Sequence, residues 1–141
     1  MKLRDIDLNY AFLSMRVALG MTFFLIGFNK IINYGVIVPK LQSGFTETWL
    51  PDIMVSAYVH ALPFAELILG LLVAVGLFTR PAMYLTGILM ITLNFGLLVK
   101  GDSAGAKKNI VYILLIGLDI ILLNYNKYSL DQLLFGSLSD D

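Results

Sequence analysis

The chain has 141 residues and no net formal charge, and 58% of its residues are hydrophobic while only 14% are charged. A soluble domain is usually about 45–50% apolar and about 25% charged, so this composition and the mean hydropathy of +0.81 indicate an integral membrane protein. The zero charge balance offers no basic surface for nucleic acid. With no cysteine, a thiolate site is excluded, and with His60 as the single histidine, one chain cannot build a two-histidine metal or haem site. We therefore expect no metal, no covalent cofactor and no nucleic-acid partner.

Four apolar blocks follow one another along the chain. A helix needs roughly 20 residues to cross about 30 Å of hydrocarbon, and the predicted spans cover about residues 10–29, 62–79, 81–99 and 108–125. Helices are expected because an open sheet would leave backbone groups unpaired in lipid. We also expect the first span to be retained rather than cleaved as a signal peptide, since Arg16 interrupts its apolar run. The pattern predicts one all-α domain over residues 1–141, an integral membrane four-helix bundle.

The connections differ in length. Thr79-Arg80-Pro81 joins the second and third helices so tightly that they must be antiparallel neighbours. Residues 30–61 are too long for a turn, and we predict an interfacial loop there, partly helical, because aromatic side chains favour the membrane–water interface. Its aromatic residues are Tyr34, Phe45, Trp49 and Tyr58. Pro51-Asp52 has the form of a helix start, from which a helix would continue and kink at Pro63. Residues 126–141 form a tail.

Membrane orientation stays open. Four spans place both termini on one side, but the positive-inside rule needs an imbalance of basic residues between the two sides. The side of the termini carries Lys2, Arg4, Arg80 and Lys127, and the other side carries Lys30, Lys40, Lys100, Lys107 and Lys108. These sets are nearly equal.

Polar residues within the spans predict two layers in the bundle. A rise of about 1.5 Å per residue from the face of the termini puts Arg16 about 9 Å deep and Asp119 about 13 Å deep. We interpret these two as a structural ion pair, the Arg16 layer. Glu66 lies about 24 Å from the same face. Its expected neighbours in this Glu66 layer are Lys30, Asn94, Asn109 and Tyr112.

A charge near the bilayer centre costs about 2.5–3.5 kcal/mol, so these side chains are expected to face the bundle or water. The Glu66 layer has two readings. It is either a binding pocket for the polar head of a ligand or a structural pair that fixes the register of the helices.

Four stretches carry a family resemblance: SMRVALGMTFFLIGFNKI, LPFAELILGLLVAVGLFTRPA, LNFGLL and NKYSLDQLL. In their order and spacing they resemble the DoxX family of small four-helix bacterial membrane proteins, especially the subgroup found in the Bacteroidetes. The resemblance implies the bacterial cytoplasmic (inner) membrane, and it matches Arg16, Lys30, Glu66 and Arg80 to charged positions typical of the family. The family is named after a subunit of a thiosulfate:quinone oxidoreductase. Because the chain has no thiol, we do not transfer thiosulfate oxidation to it.

Two functions are open. The first is an accessory subunit of a membrane redox complex that binds a quinone or lipid-like molecule in the Glu66 layer. The alternative is a non-catalytic scaffold, docking a membrane protein partner or a second copy of itself through residues 34–58 and the C-terminal tail. Transport has less support, since no inverted repeat is visible. The stretch GDSAG at residues 101–105 has the letters of a GxSxG motif but lies between two predicted helices, not on the strand-to-helix turn of a nucleophile elbow, and there is no HExxH motif. We therefore assign no catalytic residue and expect at most a subunit of a quinone-linked oxidoreductase.

Overall fold

The structure is a computed structural model that describes residues 4–136, and within that range it contains helices and no strand. In chain order the helices are α1 (Asp5–Ile32), α2 (Tyr34–Ser43), α3 (Asp52–Val75), α4 (Thr79–Val99), α5 (Ser103–Ile121) and α6 (Leu130–Phe135). A 3₁₀ turn at Leu123–Tyr125 follows α5. The all-α prediction is confirmed. Lys2 and the part of the predicted tail after Gly136 lie outside the described residues.

The four long helices close into a ring in which α1 packs on α3, α3 on α4, α4 on α5, and α5 on α1. The α1–α3 contact is the most extensive, because small residues let the two backbones approach closely. A Cβ added at Gly20 would overlap the backbone of Ala74, and one at Gly70 would overlap the backbone of Phe24. Glycine is therefore required on both sides of this seam.

Three of these helices, α1, α3 and α4, are each long and apolar enough to cross a membrane. The fourth, α5, has 19 residues and carries Lys107, Lys108 and Asp119. Its Ile116 packs with Leu19, Phe23 and Met90 in a buried cluster shared with α1 and α4. The chain is thus an integral membrane protein built on a four-helix bundle.

Much of residues 30–61 is helical, because α1 extends to Ile32, α2 follows directly, and α3 begins at Asp52 and runs through Pro63. Val38 of α2 is buried against Val55 and Val59 of α3. The segment between α1 and α3 thus has its own apolar contact with the bundle. This contact covers the end of α3 that lies beyond the Glu66 layer.

Candidate functional site

Lys30 and Glu66 form a buried ion pair between α1 and α3. The Lys30 Nζ donates to both carboxylate oxygens, at 2.8 Å to Oε1 and 2.7 Å to Oε2. The Glu66 side chain is only 3% exposed, while that of Lys30 is 18% exposed. Gly27 allows α1 and α3 to approach closely beside the ion pair. A Cβ added at Gly27 would overlap the backbone of Leu67, which is one residue beyond Glu66. A buried charge pair needs such full hydrogen bonding to offset the loss of hydration.

The other residues predicted for the Glu66 layer make contacts elsewhere. Asn109 Nδ2 donates to the Met90 carbonyl oxygen at 3.0 Å and so joins α5 to α4. The Tyr112 ring packs against Phe23, with 5.8 Å between ring centroids. Asn94 Oδ1 is buried and has no hydrogen-bond partner among residues 4–136. The structure therefore joins Glu66 directly to Lys30 and leaves Asn94 with an unfilled acceptor.

The buried Arg16 side chain binds backbone carbonyl groups instead of Asp119. Its Nη2 donates to the Tyr128 oxygen at 2.7 Å, and its Nη1 donates to the Val73 oxygen at 3.4 Å. Val73 lies in the last turn of α3, where carbonyl groups lack helical partners and a cation is favourable. Within the described chain, no nitrogen of Arg16 lies within 4.0 Å of an Asp119 carboxylate oxygen.

Asp119 is fully buried, and neither of its carboxylate oxygens has a hydrogen-bond partner in the described part of the chain. The charges of Asp131 and Asp119 both act on Arg16. The two members of the predicted pair therefore interact across a gap. The direct contact expected from their depths is absent from the described residues because the guanidinium is directed to the end of α3 and to the segment before α6.

Asp131 is a polar residue that the sequence reasoning did not single out. Its Oδ1 accepts a hydrogen bond from the Phe78 N–H at 2.6 Å, and its Oδ2 accepts one from the Thr79 N–H at 2.7 Å. Its own N–H donates to the Gly76 carbonyl oxygen at 2.9 Å. A carboxylate at this place satisfies the first N–H groups of α4 and complements the helix dipole. The start of α6 thus closes the turn between α3 and α4.

Two cavities flank these layers. A basic cavity of about 520 Å³ lies at the end of the bundle where α4 begins, and Thr79, Arg80, Lys127 and Asp131 line it. An apolar cavity of about 210 Å³ lies near the opposite end. Its wall includes Phe45, Val55, Val59 and Phe95, and its polar residues are Tyr58 and Thr92. The two hydroxyl groups are hydrogen-bonded to each other at 2.9 Å.

Fold and buried charges together define a small helical membrane protein with an ion pair inside its bundle. The DoxX family model matches residues 11–97, which is more than half of the chain. The chain therefore belongs to the DoxX family. The match runs from α1 almost to the end of α4 and includes both members of the Lys30–Glu66 pair. No curated protein and no solved structure is detectably similar to the chain.

Proposed function

We propose that the chain is an accessory subunit of a redox complex in the bacterial inner membrane, where it binds a quinone or lipid-like molecule. The binding site is the apolar cavity together with the neighbouring Glu66 layer. The observation that carries this proposal is the pairing of apolar walls with the two hydroxyl groups of Tyr58 and Thr92. Ligand sites in proteins commonly combine an apolar lining with a small number of placed polar groups.

The two hydroxyl groups suit a ligand head with a carbonyl or hydroxyl group. Thr92 Oγ1 donates to the Leu89 carbonyl oxygen at 2.8 Å, so Tyr58 is the donor in the bond between the two hydroxyl groups. A ligand carbonyl could accept from Tyr58, and a ligand hydroxyl could donate to Thr92 Oγ1. The tail of a quinone or lipid is apolar and matches the aromatic and aliphatic wall of the cavity. Glu66 lies on the same helix as Tyr58, about two turns further along α3.

The Glu66 layer also keeps unused hydrogen-bonding capacity. Asn94 Oδ1 is a buried acceptor that lacks a partner in the described chain. A buried unpaired acceptor is costly, so a donor such as a quinol hydroxyl is favourable beside it. The Lys30 ammonium has three donors, and Glu66 is its only acceptor in the described chain. These groups support binding of the ligand head close to the ion pair.

Native mass spectrometry of protein released gently from its own membrane tests the proposal. We expect the wild type to retain a quinone or one defined lipid, and a Tyr58→Phe/Thr92→Val double variant to lose it. A Tyr84→Phe/Thr22→Val double variant is the matched control, since both residues lie elsewhere on the helices. Equal retention of the small molecule by all three proteins would contradict binding at the two hydroxyl groups.

The scaffold function is the second candidate, and exposed apolar side chains on the interfacial segment favour it. Trp49 is 74% exposed and Ile53 is 79% exposed, which suits contact with lipid or with another protein. A photoreactive residue at either position distinguishes these cases in the native membrane. A defined protein adduct would support the scaffold function. Adducts with lipid alone would contradict docking through this segment.

A further inference from the structure

The basic cavity has no role in the proposed function and lies at the other end of the bundle. Three of its lining residues carry formal charges: Arg80, Lys127 and Asp131. Both Asp131 oxygens are already bound by the N–H groups of Phe78 and Thr79. The negative charge is therefore compensated by the start of α4, while the two cations are not compensated in the same way.

Arg80 and Lys127 form no ion pair within residues 4–136, where such pairs are Arg4–Asp7 and Lys30–Glu66. Both side chains are exposed. Arg16 adds positive charge behind the cavity wall, since it binds the carbonyl oxygen of Tyr128, next to the lining residue Ser129. The lining thus carries two cations and one acid, and that acid is already bound by backbone N–H groups.

Thr79 provides an independent sign of a missing ligand. Thr79 is 1% exposed, and its Oγ1 is buried without a hydrogen-bond partner in the described chain. A buried hydroxyl is normally hydrogen-bonded, so an unpaired one at a cavity calls for a partner that the protein does not supply. An anionic oxygen of a ligand would accept a hydrogen bond from the Thr79 hydroxyl, and its charge would attract Arg80 and Lys127.

The cavity lies at one end of the bundle, where a spanning helix would meet the lipid head groups. It adjoins the first turn of α4, one of the helices long enough to cross the membrane. Phe135 lines the cavity and lies 6.3 Å from Phe78 between ring centroids, and both rings are about half exposed. Aromatic residues are enriched at the membrane–water interface, so these rings suit contact with the upper part of an acyl chain.

We infer that the basic cavity binds a phosphate group, supplied by an anionic phospholipid, through Arg80, Lys127 and Thr79. The cations attract the phosphate, the hydroxyl of Thr79 donates to it, and the exposed phenylalanine rings contact the glycerol and chain region. This inference does not depend on quinone binding, because it uses different residues at the opposite end of the bundle.

Titration of purified protein with phosphatidylglycerol, followed by native mass spectrometry, tests the inference. We expect the Arg80→Gln/Lys127→Gln double variant to raise the apparent Kd, by about fivefold for each charge removed. The matched control is Lys107→Gln/Lys108→Gln, which removes two exposed cations at the other end of α5. The control should bind like the wild type. An unchanged Kd in the first variant, or an equal loss in both, would overturn the site.

Thr79→Val is a second variant of nearly the same shape, and it tests the buried hydroxyl. Loss of a hydrogen bond to a charged group should raise the Kd by about tenfold or more, and unchanged binding would overturn the role of Thr79. Competition by millimolar inorganic phosphate identifies the source of the phosphate group. Displacement of the lipid would assign the site to a soluble phosphate compound, and retention of the lipid would assign it to the membrane.

Discussion

Arg16 and Tyr128 are 112 positions apart in the chain and are joined by a hydrogen bond of 2.7 Å from the guanidinium to the backbone carbonyl oxygen. The same side chain also contacts the last turn of α3 through Val73. One buried cation thus connects the first helix, the end of α3 and the segment before α6. We therefore expect the stability of the bundle to depend on Arg16 more than on Asp119.

Substitution of Asp119 tests whether the bundle depends on a direct contact between Arg16 and Asp119. Asp119→Asn removes a buried charge that has no hydrogen-bond partner in the described chain, so we expect the free energy of unfolding to change by less than about 1 kcal/mol or to rise. Loss of one member of a close buried pair would instead cost about 3–5 kcal/mol. Unfolding in mixed detergent micelles measures the difference. A loss in the larger range would show that Arg16 and Asp119 depend on direct contact.

Substitution of Arg16 should have the opposite outcome. Arg16→Met removes the donors to Val73 and Tyr128 and leaves Asp119 without a nearby cation. We expect a loss of about 3–5 kcal/mol in the free energy of unfolding. In the Arg16→Met/Asp119→Asn double variant, part of this loss should be recovered. No recovery would mean that the two charges act independently.

Gly76 shows how closely Arg16 packs against the end of α3. Gly76 has a φ of 72°, and a Cβ at this position would overlap the Arg16 Nη1. Gly101 has a φ of 81° but would meet nothing within 4 Å, so it is the matched control. We expect Gly101→Ala to cost about 1–2 kcal/mol for the backbone conformation alone. Gly76→Ala should cost clearly more in the same unfolding measurement, and equal losses would contradict the packing.

The role of Asp131 can be measured at the start of α4. Asp131→Asn keeps one acceptor oxygen but loses the charge, and we expect a loss of about 1–2 kcal/mol in local stability. Hydrogen exchange of the Phe78 and Thr79 amides should become faster, because both donate to this carboxylate. Asp5→Asn is the control, since Asp5 is an exposed acid in the first turn of another helix. Unchanged exchange would show that Asp131 does not cap α4.

The Lys30–Glu66 pair allows a double-mutant cycle. Lys30→Met leaves the buried Glu66 carboxylate without its partner and should cost about 3–5 kcal/mol. Glu66→Leu leaves the partly exposed Lys30 ammonium and should cost less. The double variant should lose less than the sum, because no unpaired charge remains. Additive losses would contradict the ion pair. If the double variant folds but no longer retains a small molecule, the pair serves binding as well as register.

The sequence supports the helical membrane fold because long apolar blocks and their spacing are visible without coordinates. The depth estimate places Lys30 near the rim beyond Glu66, from which its flexible stem can reach inward, and the Lys30 Nζ lies 2.7 Å from the Glu66 Oε2 in the structure. The same estimate missed the Arg16 contacts, because the acceptors are backbone carbonyl groups and carry no residue signal. Asp131 was missed because its partners are N–H groups on another helix. Ser129 caps the start of α6, since its Oγ accepts a hydrogen bond from the Gln132 N–H at 3.3 Å. This local sequence pattern predicts where α6 begins, but it does not predict the contact between Asp131 and α4.

The Asp131 cap also has a consequence for biosynthesis. A ribosome makes the chain from its N-terminus, so α3 and α4 are complete before residue 131 is synthesised. Until then the Phe78 and Thr79 N–H groups lack their carboxylate, and Arg16 lacks its acceptor on Tyr128. In a nascent chain that stops before residue 128, the first N–H groups of α4 have no capping carboxylate. Synthesis of residues 128–131 therefore completes contacts between helices that were inserted much earlier.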